Sequence, residues 1–172
     1  MKNSNTFAIL SALLLVSSMS YAQTCNPSLT RTAPDSRYQE VEGSDGAEIL
    51  DLHTQLIWQR CSVGQQWNGV ACTGTASRYK WIDALAQAKA IGDDYRLPNI
   101  KELQSLVEEA CDIKINQSFF PQTPDRYFWS SSPVANTGNN AWVLYGSISD
   151  SWQPWGKGEP YHVRAVRTVQ RR

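Results

Sequence analysis

The chain has 172 residues, of which 41% are hydrophobic, 10% aromatic and 19% charged, with 16 basic and 16 acidic side chains. That length suits one domain, or one domain with a tail. The balanced charge and adequate apolar content exclude a disordered chain, and the lack of a triplet or heptad repeat excludes collagen and coiled coil. No basic excess points to nucleic acid.

The N-terminus reads as an export signal. Lys2 is followed by the apolar runs Phe7-Ala8-Ile9-Leu10 and Ala12-Leu13-Leu14-Leu15-Val16, and then by Ser20-Tyr21-Ala22, with small residues where a signal peptidase reads. A signal peptide over residues 1–22 is therefore expected, with cleavage after Ala22. The apolar run is short for the roughly 20 residues that cross a bilayer, and no later stretch of the sequence supplies a span. The expected setting is outside the cytoplasm: periplasm, cell surface or medium.

Cys25, Cys61, Cys72 and Cys111 are an even set in an exported chain, which predicts two disulfides. Gly64, Asn68 and Gly69 suit a tight excursion between Cys61 and Cys72, and Cys25–Cys111 follows by elimination. Without a Cys-x-x-Cys spacing, and with His53 and His162 distant in sequence, no metal site and no cofactor are expected.

Residues 23–46 are polar, contain Pro27, Pro34, Gly43 and Gly46, and read as a lead-in loop. Residues 48–52 and 56–60 read as a hairpin, and residues 62–78 as a disulfide-pinned loop. Trp81, Ala84, Leu85, Ala88 and Ile91 form one apolar face of a helix over 81–91. A second helix is expected from Asn99, with Glu102 completing a capping box and Ile100, Leu103, Leu106, Val107 and Ala110 as its buried stripe. Tyr95-Arg96-Leu97 reads as an extended link between them. Strands follow at 127–131, 141–145, 151–153 beyond a turn at Ser149-Asp150, and 161–167. The fold class is α+β: a single disulfide-bonded domain of two helices and a small antiparallel sheet with long loops.

Several elements carry a family resemblance. They are Leu56-Ile57-Trp58-Gln59-Arg60-Cys61, Trp81 at a helix start, Arg96-Leu97-Pro98-Asn99-Ile100-Lys101-Glu102-Leu103, Phe120-Pro121, Phe128-Trp129-Ser130-Ser131-Ser132 and Val163-Arg164-Ala165-Val166-Arg167. In this order they resemble the bacterial Lcl C-terminal domain family, named for the Legionella collagen-like adhesin, over about residues 47–169. The resemblance implies a fold related to C-type lectin-like domains and an extracytoplasmic setting. The named adhesin binds sulfated glycosaminoglycans through a trimeric C-terminal domain. The present sequence carries no collagen-like repeat, so trimerisation is not carried over.

The motif residues also have physical readings. Trp58, Trp81 and Trp129 are expected to bury large apolar area. Arg96 and Glu102 are expected to pair across Pro98 and anchor the helix start. The serines after Trp129 are expected to satisfy turn backbone groups. Asp93-Asp94 and Glu108-Glu109 read as solvated surface, because adjacent carboxylates do not face each other as acid and base must.

The leading functional expectation is a non-catalytic module that binds carbohydrate or a sulfated polysaccharide. Trp152 and Trp155 flank Pro154 in a Gly-rich segment, where exposed indoles stack on sugar rings or, alternatively, close the core. Lys157, Arg164 and Arg167 are the cations placed to pair with sulfate or carboxylate, although the basic C-terminal end, Arg171 and Arg172 included, also reads as a solvated strand and tail. The alternative is a structural or assembly protein at the cell surface acting by protein contact. An enzyme related to the formylglycine-generating oxidases is the least favoured reading, because paired cysteines lack that chemistry. A calcium site is not expected from the isolated Asp150 and Glu159.

Overall fold

The computed structural model describes residues 23–146 and 151–170. The leader expected over 1–22, the turn at Ser149-Asp150, and Arg171 and Arg172 lie outside the described residues. Eleven strands and two α-helices are present among those described. A 3-10 turn at Asp35–Arg37 leads into β1 (Tyr38–Glu40), followed by β2 (Glu48–Asp51), β3 (Leu56–Gln59), β4 (Gln65–Trp67), β5 (Cys72–Gly74) and β6 (Arg78–Tyr79). Then come α1 (Trp81–Ala90), α2 (Ile100–Gln104), β7 (Tyr127–Pro133), β8 (Asn140–Tyr145), β9 (Trp152–Gly156), β10 (Tyr161–His162) and β11 (Val166–Thr168). No helix among the described residues is long and apolar enough to cross a membrane.

The expected single sheet is in fact two, plus a hairpin. One has four strands in the order β1-β2-β3-β11, and the other five in the order β6-β10-β7-β8-β9. All pairings are antiparallel except β10 with β7. The expected last strand is split between the two sheets. Its first part, β10, joins the second sheet, and its last part, β11, pairs with β3. The link between them, Val163 to Ala165, is buried, with Val63 N–H donating to Val163 O and Gln59 N–H to Ala165 O. One segment thus stitches both sheets together.

The β2–β3 hairpin forms because Ile49 and Trp58 stand opposite each other on one face, both fully buried. Asp51 shapes the turn. Its Oδ1 accepts from the His53 and Thr54 N–H groups, and its Oδ2 from the Thr54 hydroxyl. The residue before β3, Gln55, takes a φ of 58° to close it. The lead-in is more than loop: Tyr38 of β1 pairs with Asp51 and packs edge-on to Phe120 at 5.3 Å. The expected loop 62–78 likewise holds the β4–β5 hairpin, which the Cys61–Cys72 disulfide closes. Cys25–Cys111, the second disulfide, ties the N-terminal segment to the core.

Helix α1 buries Ala84 and Ala88 against Trp129, Ala141 and Val143, while Ile91, the last residue of the expected stripe, is 39% exposed. Helix α2 is much shorter than its periodicity predicts. Asn99 caps it by accepting from Glu102 N–H, and the Glu102 carboxylate accepts from Asn99 N–H, as the capping box requires. The chain leaves the helix after Gln104, yet Leu106, Val107 and Ala110 are still buried. Val107 reaches the core through a bridge to Ile115. Burial rather than helical geometry explains that apolar spacing.

Candidate functional site

The residues that identify the sequence are mostly structural. Trp58 and Trp129 are fully buried. Trp129 Nε1 donates to Tyr79 O at 2.8 Å, and the partly buried Trp81 donates to Ser130 O at 2.9 Å. Ser130 Oγ donates to Trp142 O, Ser131 N–H to Pro98 O, and Ile100 N–H to Ser132 Oγ. The Arg-Leu-Pro-Asn and Trp-Ser-Ser-Ser segments therefore clasp each other. Arg96 makes a two-point ion pair with Glu102 at 2.6 and 2.7 Å. Burial alone would raise the Glu102 carboxyl, but Arg96 and the Asn99 N–H hold it below its ordinary value. These groups are all engaged within the chain, although the Arg96 side chain remains 42% exposed.

Two expectations about charge fail for the same reason: a polar side chain has gone inside and found partners. Glu108 is 0% exposed rather than solvated. Its carboxylate accepts from the Thr32, Ala33 and Ala110 N–H groups and from Arg31 Nε. Burial pushes it up, and those donors more than offset this, leaving it below the usual carboxylate range. Arg164, expected at a ligand site, is 1% exposed. Its Nη1 donates to Gln59 O and Arg60 O, and its Nη2 to the Thr123 hydroxyl, while the guanidinium lies 5.0 Å from the Phe120 ring centroid. Burial pushes it down to about 9, still cationic at neutral pH. It cannot reach a bound glycan.

The other two cations are also engaged. Arg167 donates to Glu48 at 2.6 Å and lies over the Tyr95 ring, on the four-stranded sheet rather than the five-stranded sheet that carries Trp152 and Trp155. Lys157 stays near β9, half-buried. Its Nζ sits 4.3 Å from the Trp81 ring centroid and donates to Gly138 O.

Trp152 and Trp155 are 47% and 38% exposed. They do not lie in a loop: both belong to β9, the edge of the five-stranded sheet. Strand pleating settles their relation. Trp152 pairs with Leu144 and Trp155 with Ala141, so the two indoles point to opposite faces. On the α2 side, Trp152 packs against Trp142 at 4.9 Å, with Lys101 Nζ 5.7 Å from its ring centroid. On the α1 side, Trp155 joins a cluster of half-buried tyrosines. Tyr127 lies 4.9 Å from Tyr145, 5.4 Å from Tyr161 and 5.9 Å from Trp155. Gln153 Nε2 donates to the Tyr127 hydroxyl.

The tyrosine cluster was not legible in the sequence as a site. Tyr127, Tyr145 and Tyr161 sit on three different strands, and only the β10–β7 and β7–β8 pairings bring them together. The available signal was the density of aromatics after residue 126, which gave no register. Pro154 adds a further property. Tyr145 N–H donates to Ser151 O and Lys157 N–H to Asn139 O, so the inward-bonded residues of β9 are the odd-numbered ones. Pro154 points its missing N–H outward, which blunts this edge against pairing with another strand.

All four cysteines are paired, and no group of three or more His, Cys, Asp or Glu side chains among the described residues is placed to hold a metal ion. No curated protein matches the sequence significantly. The model of the Lcl C-terminal domain matches residues 47–167, which span every strand from β2 to most of β11, and the chain belongs to that family.

Proposed function

We propose that this protein is an exported, adhesin-like, non-catalytic module of C-type-lectin-like architecture that binds carbohydrate at the β9 edge. The observation that carries this reading is the pair of exposed indoles on one edge strand, each backed by further aromatic rings. Sugar rings present flat C–H faces that pack on indole, and their hydroxyls bond to phenol and amide groups. Tyr127, Tyr161 and Gln153 supply such groups beside Trp155. Other exposed large apolar side chains, such as Val70, Ile82 and Leu29, lie outside β9 and are aliphatic.

The test is a glycan array probed with the oxidised, secreted protein, with and without chelator. Binding that survives chelator and is lost in folded Trp155→Ala or Trp152→Ala variants is the expected outcome. No binding to any glycan would overturn the reading and favour a role in surface assembly by protein contact.

A further inference from the structure

We infer that the Trp155 face recognises an uncharged glycan rather than a sulfated one. This rests on the carbohydrate-binding reading above and narrows its ligand. Recognition of sulfate or carboxylate calls for a cation with free donors, preferably a two-point guanidinium fork. Of the three cations that the sequence offers for this task, Arg164 is buried under backbone carbonyls, Arg167 is paired with Glu48, and Lys157 is held between the Trp81 ring and Gly138 O.

An acidic group also acts on these rings. Burial pushes the Tyr161 phenol above its ordinary value, and the Glu159 carboxylate pushes it further. Glu159 is exposed and lies two residues before Tyr161 in the chain. What the face does offer is neutral. Trp155 gives a flat apolar surface, propped by Tyr127 and by Tyr161 at 6.1 Å. Ring-on-ring support fixes these side chains before a ligand arrives, which lowers the entropy lost on binding. The phenol hydroxyls and the Gln153 amide both donate and accept, matching sugar hydroxyls, which do the same.

The opposite face makes a contrast within the same strand. There Lys101 lies over Trp152, so an anionic polymer would find a cation against the indole on the α2 side.

The experiment compares panels of neutral oligosaccharides with heparin and dextran sulfate, read by titration calorimetry and tryptophan fluorescence on the oxidised full-length secreted protein. The variants are Trp155→Ala, Gln153→Ala and, for the other face, Trp152→Ala, each checked by near-UV circular dichroism. The expected result is binding of a neutral oligosaccharide that weakens at least about tenfold in Trp155→Ala. Its affinity should stay within about twofold between about 0.01 and 1 M salt, over which the screening length falls from about 30 to 3 Å. Heparin binding that collapses over that salt range and depends on Trp152, with no neutral ligand bound, would overturn this inference and leave carbohydrate binding standing. Silence with both panels would overturn both.

Discussion

Two regions of this protein invert the usual distribution of side chains. Around Cys111 and the β3–β11 junction, charges lie inside: Glu108, Asp51 and Arg164 are all buried. At the β9 edge, aromatic rings lie outside. The inner charges resemble a functional cluster until their partners are counted. Each of Glu108 and Arg164 has at least three hydrogen-bonding partners within the chain, drawn largely from the backbone. They tie together segments distant in the sequence. The outer rings have ring partners on one side and solvent on the other. Burial of charge here reflects pairing within the chain, whereas the outer rings stay partly open to solvent.

Breaking the inner region should cost the most. The Cys25–Cys111 bridge joins residues 86 apart, and its removal by Cys25→Ser with Cys111→Ser should destabilise by about 4–5 kcal/mol in the chain-entropy picture. The Cys61–Cys72 bridge spans 11 residues and should cost less, about 3 kcal/mol. Urea titration of the two double variants checks the order as well as the size. An equal loss would mean that the loop-length argument does not govern this domain.

Glu108→Ala should cost about 3–5 kcal/mol, because it strands buried N–H groups and the Arg31 guanidinium. Arg164→Ala should fall in the same range, by stranding the carbonyls of Gln59 and Arg60. A loss under about 1 kcal/mol in either would show that the polar interior is not holding these segments together.

The pH dependence sharpens the same point. Asp51, Glu102 and Glu108 are all held below their ordinary values. A depressed carboxylate stabilises the fold above its unfolded pKa, near about 4, and that stabilisation is lost as pH falls through the lower folded value. Stability should thus be level through neutral pH and fall in acid below about pH 4. In Glu108→Gln the acid limb should be shallower, measured as urea midpoints against pH.

The smallest stability effect belongs to the outer region. Trp152→Ala and Trp155→Ala remove half-exposed side chains and should cost only about 1–2 kcal/mol each. If either unfolds the protein, the β9 rings are core after all, and the comparison between the two regions fails.

Much of the local structure was legible in the residues. The β2–β3 hairpin, helix α1, the Asn99–Glu102 capping box, the Arg96–Glu102 ion pair and both disulfides follow from apolar spacing, cap chemistry and cysteine placement. These signals act over a few residues, or over pairings limited by their number. Helix α2 is shorter than its periodicity predicts because an apolar side chain every three or four residues serves a buried irregular segment as well as a helix.

What only the tertiary structure decided is which groups meet across long separations. Nothing in the sequence distinguishes Arg164, buried under carbonyls from residues 59 and 60, from a surface arginine of the same strand-like segment. Nothing in it places Glu108 against the backbone of Thr32 and Ala33. By the same logic Trp152 and Trp155 look like neighbours along the chain, yet the two-residue period of the β9 pleat sends them to opposite faces. The sequence by itself determined an aromatic-rich, doubly disulfide-bonded α+β domain of a recognisable family. The fold decided which of its charges became scaffold and which of its rings stayed open to solvent, because partners for a buried polar group and a register for a strand exist only once distant segments have come together.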